Sequence, residues 1–190
     1  MIPEPTALAR ITAAMDYDQS RIATTYDEAR ALTPARRRRW QRLLSAHLDR
    51  STISLVVDLG CGTGRFSEML AAELGARVIG LDPSKKMIDL ARRKPATSPV
   101  VFGRASAHEL PLPHDCVDLV FMSQIYHHLP DPAAVARECG RVLRAGGYVC
   151  IGLIRESLKK SSCVKRITLA EYNKPILEPA YPTFPRWIGP

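Results

Sequence analysis

Val56-Val57-Asp58-Leu59-Gly60-Cys61-Gly62-Thr63-Gly64-Arg65 is the stretch that decides the fold, because it joins an apolar run to a glycine-rich turn. The run 54–59 has the length and valine content of a buried strand, and the apolar spacing from residue 65 to residue 74 predicts a helix directly after the turn. Glycine lets the backbone turn sharply and approach a ligand, and a helix N-terminus presents N–H donors. This order of strand, turn and helix indicates a ligand-binding loop.

The same alternation of strands and helices continues to residue 154. Further strands are predicted at 77–81, 100–103, 116–122 and 148–154, and further helices at 84–93 and 131–143. Such alternation predicts an α/β fold with a Rossmann-like, doubly wound, mostly parallel sheet and right-handed crossovers. Upstream, Thr33 and Pro34 begin a predicted helix that contains the basic run from Arg36 to Arg39.

Three segments follow from this pattern: an N-terminal helical cap segment (1–50), a ligand-binding core (51–154) and a basic, proline-rich C-terminal tail (155–190). The tail holds five of the fifteen prolines. Because proline cannot donate to a sheet ladder, a pair of strands that would extend the sheet in this tail is expected to be missing or altered. Residues 158–172 favour a helix, and 166–176 leave room for one short hairpin. The tail's large apolar side chains predict contact with its own domain or with a second copy in a homodimer.

Composition excludes several classes of protein. The chain has 190 residues, 46% of them hydrophobic, which fits one compact domain. No apolar run in the sequence is long enough to span a membrane. We expect no secretory signal, because the first residues lack an apolar run behind a basic start. Five cysteines without a CxxC pair predict neither a disulfide framework nor a metal site. These features favour a cytoplasmic protein with reduced thiols.

The net charge of +8 divides into +3, +1 and +4 over the three segments, so the core is nearly neutral. A nucleic-acid reader concentrates its basic residues along one binding element, and nucleic acid is therefore not the favoured partner. Arg36 to Arg39 fan around most of a helix, which favours a solvated helix face. Binding of RNA or acidic lipid is the alternative for this run.

Two ligand classes compete for the glycine loop. The dinucleotide fingerprint G-x-G-x-x-G requires a third glycine where this chain has Arg65. Asp58 would repel a pyrophosphate but suits an ammonium group. Asp82, at the end of the second strand, is placed to accept hydrogen bonds from both hydroxyls of a ribose. The implied ligand has a ribose, an amino group and no phosphate, and S-adenosylmethionine meets all three conditions.

Five stretches, in order and in register, resemble the class I S-adenosylmethionine-dependent methyltransferases, within the methyltransferase-11 group that includes quinone-biosynthesis-like enzymes. They are VVDLGCGTGRF (56–66), VIGLDPSKKMIDLAR (78–92), GRASAHELPLPHDCVDLVFM (103–122), SQIYHHLPDP (123–132) and RECGRVLRAGGYVCI (137–151). The resemblance covers about residues 50–152. It implies methyl transfer to a small-molecule acceptor, with S-adenosylhomocysteine as the product of the cofactor.

The resemblance also implies a set of cofactor-binding residues. They are Tyr17, Tyr26, Asp58, Gly60, Cys61, Gly62, Gly64, Asp82, Pro83, Met87, Ser106, Ala107, Ser123 and Gln124. In this scheme Asp58 orients the amino group, Asp82 holds the ribose and Met87 packs on the adenine. The three glycines shape the methionyl pocket, and the two tyrosines cap the cofactor.

His127 and His128 follow the fourth predicted strand. They are candidates for a general base, and a purely structural pair is the alternative. Transfer from a sulfonium mainly requires alignment of acceptor and methyl group, so no larger catalytic constellation is expected. Two other functions stay open: a catalytically silent methyltransferase-like protein that acts through a partner, and an RNA methyltransferase.

Overall fold

A computed structural model of the chain describes residue 18 and residues 32–95, 98–152 and 162–166. Six strands in this part form one sheet in the order β3-β2-β1-β4-β5-β6. They are β1 Leu55–Leu59, β2 Arg77–Asp82, β3 Val100–Arg104, β4 Val117–Ser123, β5 Leu143–Gly152 and β6 Ser162–Arg166. The first five strands are parallel, and β6 is antiparallel to β5. The predicted Rossmann-like α/β class is confirmed, and the switch point lies between β1 and β4.

Four α-helices accompany the sheet in the described residues. They are α1 Pro34–His47, α2 Ser67–Leu74, α3 Lys85–Arg93 and α4 Pro132–Val142. Their ends follow local chemistry: Thr33 Oγ1 accepts from Arg36 N at the start of α1, and Gly75 ends α2 in the left-handed conformation. None of the described helices is both long and apolar enough to cross a lipid bilayer.

The sheet is buried on both faces because adjacent strand residues point to opposite sides. In β1, Val56 packs in a cluster with residues of α1 and α2, whereas Val57 packs in a cluster with residues of α4. In β4, Phe121 and Val120 divide between the two clusters in the same way. The two layers hold the carboxyl ends of β1, β2 and β4 in fixed positions at one edge of the sheet.

β5 begins earlier than the sequence predicts. The predicted helix 131–143 ends at Val142, and β5 starts at Leu143 instead of Tyr148. The pairing with β4 shifts between Val117 and Leu119, so residues 144–147 form an irregular part of the strand. The glycines at 146 and 147 therefore interrupt the strand ladder instead of ending the helix. A local pattern of glycines does not distinguish these two outcomes.

The structure of residues 162–166 differs from the prediction for the tail. Residues 162–166 form β6, where the sequence favoured a helix over 158–172. This segment precedes Pro175, the first proline of the tail, so all its backbone N–H groups are available to a ladder. The remaining tail, on which the homodimer prediction depends, lies outside the described residues.

One buried carboxylate fastens the amino ends of the central strands. Asp118 Oδ2 accepts from the backbone N–H groups of Ser54 and Leu55 at 2.9 Å each, and its Oδ1 accepts from Arg144 Nη1 at 2.8 Å. Burial opposes ionisation, but the hydrogen bonds from Ser54 and Leu55 and the charge of Arg144 outweigh it, and the pKa of Asp118 is lowered. β1, β4 and β5 are joined through this one side chain.

We expect Asp118→Ala to lower the free energy of unfolding by about 2–4 kcal/mol at pH 7, because it leaves buried N–H groups without an acceptor. The lowered pKa means that the carboxylate stabilises the fold above its unfolded pKa, about 3.9, and that this contribution is lost as the pH falls. Urea unfolding at pH 7 and pH 3.5 tests this expectation. Asp89→Asn, at an exposed carboxylate paired with Lys85, is the control and should change little. Equal stability of Asp118→Ala and the parent at pH 7 would contradict the assignment.

Candidate functional site

The glycine loop after β1 has a backbone that only glycine adopts easily. Gly60, Gly62 and Gly64 have φ angles of 69°, 56° and 75°, all in the left-handed region. A Cβ atom at Gly60 would lie 2.3 Å from Ile125 Cγ2, and one at Gly64 would lie 2.5 Å from Phe102 Cζ. The loop is thus held between two neighbouring segments, and its backbone forms the wall of the crevice at the switch point.

The loop is tied to the end of β2 by its N–H groups. Gly60 N and Cys61 N both donate to Leu81 O, at 2.7 and 3.1 Å. Gly62 N donates to Asp82 Oδ2 at 2.9 Å. The carboxylate of Asp82 therefore lies directly against the loop that the sequence singled out.

Asp82 remains able to bind a ligand despite these contacts. Its Oδ1 accepts from Ser84 N at 2.9 Å, and each carboxylate oxygen has a second lone pair for a further donor. Burial raises the pKa of Asp82, while the hydrogen bonds from Ser84 and Gly62 oppose that rise. Hydroxyl donors from a ligand would complete the coordination of this carboxylate.

Asp58 is the second carboxylate of the site and is only 2% exposed. Its Oδ2 accepts from Ser67 Oγ at 2.6 Å, and within the described part of the chain no group donates to its Oδ1. Burial raises the pKa of Asp58 to about 7; the Ser67 hydrogen bond opposes this rise, and the neighbouring charge of Asp82 adds to it. A cationic group in the crevice would favour the ionised form.

The end of β4 forms the opposite side of the crevice. Gln124 has a φ of 65°, unusual for a residue with a side chain, and both its backbone N and its Nε2 donate to Gly152 O, at 2.8 and 3.2 Å. The next residue, Ile125, is the one that contacts Gly60. Strained backbone at the switch point is typical of functional sites, where the surrounding structure maintains it. Ser123, immediately before Gln124, is buried.

Asp18, from the N-terminal segment, contacts the first residues of α3. Ser84 Oγ accepts from Met87 N at 3.2 Å and donates to Asp18 Oδ1 at 2.5 Å. Asp18 Oδ1 also accepts from Lys86 N at 2.9 Å. Since Ser84 N donates to Asp82, Asp18 joins the N-terminal segment to the carboxylate side of the site.

The sequence does not predict this contact, because a carboxylate 66 residues from Ser84 carries no local capping signature. The predicted neighbours in this segment, Tyr17 and Tyr26, lie outside the described residues.

Two buried carboxylates, Asp58 and Asp82, thus lie beside a loop of three left-handed glycines at the switch point. Residues 57–151, half of the chain, match the family described as "Methyltransferase domain". The chain belongs to this family. S-adenosylmethionine is its cofactor, as the sequence predicts, and the resemblance to class I methyltransferases is confirmed.

Individual relatives of this methyltransferase domain agree with the family. The chain is 37% identical over 107 residues to the ubiquinone biosynthesis O-methyltransferase of Aromatoleum aromaticum, covering 55% of this chain and 45% of that protein. It is 34% identical over 137 residues to the malonyl-[acyl-carrier protein] O-methyltransferase of Yersinia pestis, covering 72% and 49%. The chain thus spans about half the length of these curated relatives.

A solved structure shares the fold. It comes from the complex between the Haloferax volcanii Trm112 methyltransferase activator and the putative methyltransferase, with a TM-score of 0.57 and 27% identity. The match covers 68% of this chain and 55% of that chain. The likeness extends the agreement from sequence motifs to backbone geometry.

Three further predicted site residues, Met87, Pro83 and Cys61, differ in their burial. Met87 is 2% exposed on the inward side of α3, and Pro83 is exposed, with its carbonyl accepting from Arg104 Nε. Cys61 is buried, and burial raises the pKa of its thiol, which makes it a packing residue in this structure and not a reactive one.

The loop after β3 carries two of the predicted cofactor-binding residues, Ser106 and Ala107. Ser106 is exposed, and its Oγ accepts from His108 N at 3.2 Å. Ala107 is half-buried against the cluster beneath α4. Their predicted contact with the cofactor stays a prediction.

The histidine pair lies in a short 3-10 turn, Tyr126–His128, just beyond Gln124. His128 N donates to Ile125 O at 2.8 Å, and the His128 side chain is half-buried. The turn is therefore fixed beside the glycine loop through Ile125. A role of His127 and His128 as general base stays a prediction.

The raised pKa of Asp58 gives a prediction for stability. The ionised carboxylate is disfavoured in the fold, so its cost is absent near pH 4, grows as the pH rises, and is fully present above about 7. Asp58→Asn should therefore raise the free energy of unfolding of the ligand-free protein at pH 8, by up to about 4 kcal/mol, and should change it little at pH 4. Urea unfolding at both pH values measures this, with the exposed Asp89→Asn as the matched control. A variant less stable than the parent at pH 8 would show that Asp58 is a structural residue.

Proposed function

We propose that the chain transfers the methyl group of S-adenosylmethionine to a small-molecule acceptor. The observation that carries the proposal is the pair of buried carboxylates, Asp58 and Asp82, beside a loop of three left-handed glycines at the switch point. Stability alone does not favour two neighbouring buried carboxylates. A ligand that brings an ammonium group to one and hydroxyls to the other accounts for both.

In this mechanism the residues of the chain bind the cofactor and orient the acceptor. Asp58 would accept a hydrogen bond from the amino group of the cofactor, Asp82 would accept from the ribose hydroxyls, and the loop from Gly60 to Gly64 would allow the methionyl part to approach the backbone. The cofactor would supply an electrophilic methyl group on a sulfonium. Ser123 and Gln124, at and just after the end of β4, would border the acceptor and help to align it for transfer.

Proton removal is needed only for acceptors such as hydroxyls. In that case His128, held in the turn after Gln124, takes the proton of the acceptor as general base, with His127 as the alternative. For an acceptor that needs no deprotonation, alignment and exclusion of water are sufficient.

Both relatives are O-methyltransferases, which supports an oxygen nucleophile. The relative from ubiquinone biosynthesis supports a small-molecule acceptor. The likeness to a chain from a complex with a methyltransferase activator favours a second candidate, in which the domain works with a partner protein. Activity of the isolated chain separates the two candidates, because the second requires the partner.

Isothermal calorimetry tests cofactor recognition. The parent should bind S-adenosylhomocysteine and not NAD, because Asp58 disfavours a pyrophosphate. Asp82→Ala should lose about 1.5–3 kcal/mol of S-adenosylhomocysteine binding, the range for hydrogen bonds to a charged group. Asp82→Asn should lose less, since its amide oxygen still accepts.

Asp89→Asn, an exposed carboxylate on α3, is the matched control and should bind as the parent does. Tight NAD binding without S-adenosylhomocysteine binding would contradict the proposal. A folded Asp82→Ala that binds like the parent would remove Asp82 from the site.

A further inference from the structure

Helix α1 runs along the sheet from its carboxyl edge toward its amino edge. A Cβ atom at Gly152, at the carboxyl end of β5, would lie 2.5 Å from Trp40 Cη2. Further along the chain, Asp49 N donates to the hydroxyl of Tyr148, which lies earlier in β5. The N-terminal turns of α1, ahead of Trp40, therefore lie at the edge of the sheet that carries the candidate site.

The face of α1 that contacts the sheet becomes cationic at this edge. Its apolar contacts come from Trp40, Leu44 and Leu48. At 100° per residue, Arg36 and Arg37 lie about 40° and about 60° around the helix from Trp40, one turn nearer the N-terminus. Both guanidinium side chains are exposed, and they continue the sheet-facing stripe beyond the end of the sheet.

Arg38 lies on a different side of α1 from Arg36 and Arg37 and serves as a comparison for them. It lies about 160° from Trp40, on the solvent side of the helix, and is equally exposed. The four-arginine run therefore divides into a pair on the stripe and residues away from it. Only the pair lies on the side of the helix that packs against the sheet through Trp40.

Arg36 and Arg37 interact unfavourably with the partial positive charge at the N-terminus of α1. Positive charge near a helix N-terminus is unfavourable, and the first turn of α1 has no acidic residue. In the described part of the chain, neither Arg36 nor Arg37 has an acidic partner. Thr33 and Pro34 nevertheless fix this helix end, so the two side chains are held where they are. A local rule broken without compensation in the fold is typical of a functional position.

We propose that Arg36 and Arg37 bind an anionic group, a carboxylate or a phosphate, on the small-molecule methyl acceptor. This inference rests on the proposed function and adds the chemical class of the acceptor. The one anionic group of the cofactor is its methionyl carboxylate. If Arg36 and Arg37 bound that group instead of the acceptor, their loss would weaken S-adenosylhomocysteine binding. An anion at the rim would orient the acceptor while the reacting atom points toward the methyl group, and guanidinium groups suit both carboxylate and phosphate.

Three aryl probes test this assignment on the full chain saturated with S-adenosylhomocysteine: phenol, 4-hydroxybenzoate and phenyl phosphate. They differ in having no anion, a carboxylate or a phosphate. Calorimetric or NMR titration should show that the parent binds at least one of the anionic probes about tenfold more tightly than phenol, the scale of one charge-assisted contact. The stronger of the two anionic probes identifies the preferred group.

The variant Arg36→Gln with Arg37→Gln should bind all three probes with similar affinity and should keep the parent's affinity for S-adenosylhomocysteine. Arg38→Gln is the matched control and should retain the anion preference. No preference in the parent, or an equal loss in Arg38→Gln, would overturn the proposal. If the parent fails to bind S-adenosylhomocysteine, the proposed function itself is at fault.

Discussion

The burial of two neighbouring carboxylates is the constraint on which the rest of the site depends. Asp58 is the second-last residue of β1 and Asp82 is the last residue of the adjacent parallel strand β2, and both are nearly removed from water. Charges of the same sign in such a place are unfavourable unless donors surround them. The chain supplies some donors: Ser67 for Asp58, and backbone N–H groups of Gly62 and Ser84 for Asp82. The remaining acceptor positions define the shape of the ligand.

The glycine loop and the strand ends depend on each other. The loop reaches Asp82 only because three residues adopt left-handed conformations, and a side chain at Gly60 would collide with Ile125. Ile125 is in turn placed by the strained Gln124, whose two donors meet Gly152. The segments after β1, β2, β4 and β5 are thereby connected at one edge of the sheet. This arrangement explains why a short strand-to-helix stretch decides so much of the architecture.

Local pattern predicted those parts of the molecule in which local chemistry controls the outcome. The glycine loop, the two carboxylates and the alternation of strands and helices all follow from spacing and residue type. The start of β5 does not, because the glycines at 146 and 147 suit both a helix end and an irregular strand, and only pairing with β4 decides. β6 was predicted as helix for a similar reason: its strand conformation depends on the exposed edge of β5. The contact of Asp18 with Ser84 joins distant parts of the chain, and no sequence window contains both residues.

The pair of exposed arginines on the sheet side of α1, Arg36 and Arg37, shows the same limit. The sequence shows four adjacent arginines on a helix, but not which of them lie on the side of the sheet. The contact of Trp40 with Gly152 sets the rotation of the helix and separates Arg36 and Arg37 from Arg38. The sequence alone does not show which arginines of the run lie on the sheet side of the helix, but one packing contact is enough to show it.

The most direct test of the account is the affinity for S-adenosylhomocysteine as a function of pH, measured by calorimetry from pH 5.5 to 8.5 on the parent and on Asp58→Asn. If Asp58 binds the amino group, the affinity of the parent rises with pH as the carboxyl group ionises near its raised pKa of about 7. The Asn variant should bind more weakly, without that rise. Identical pH profiles for the two proteins would contradict the claim that the buried carboxylate recognises the cofactor.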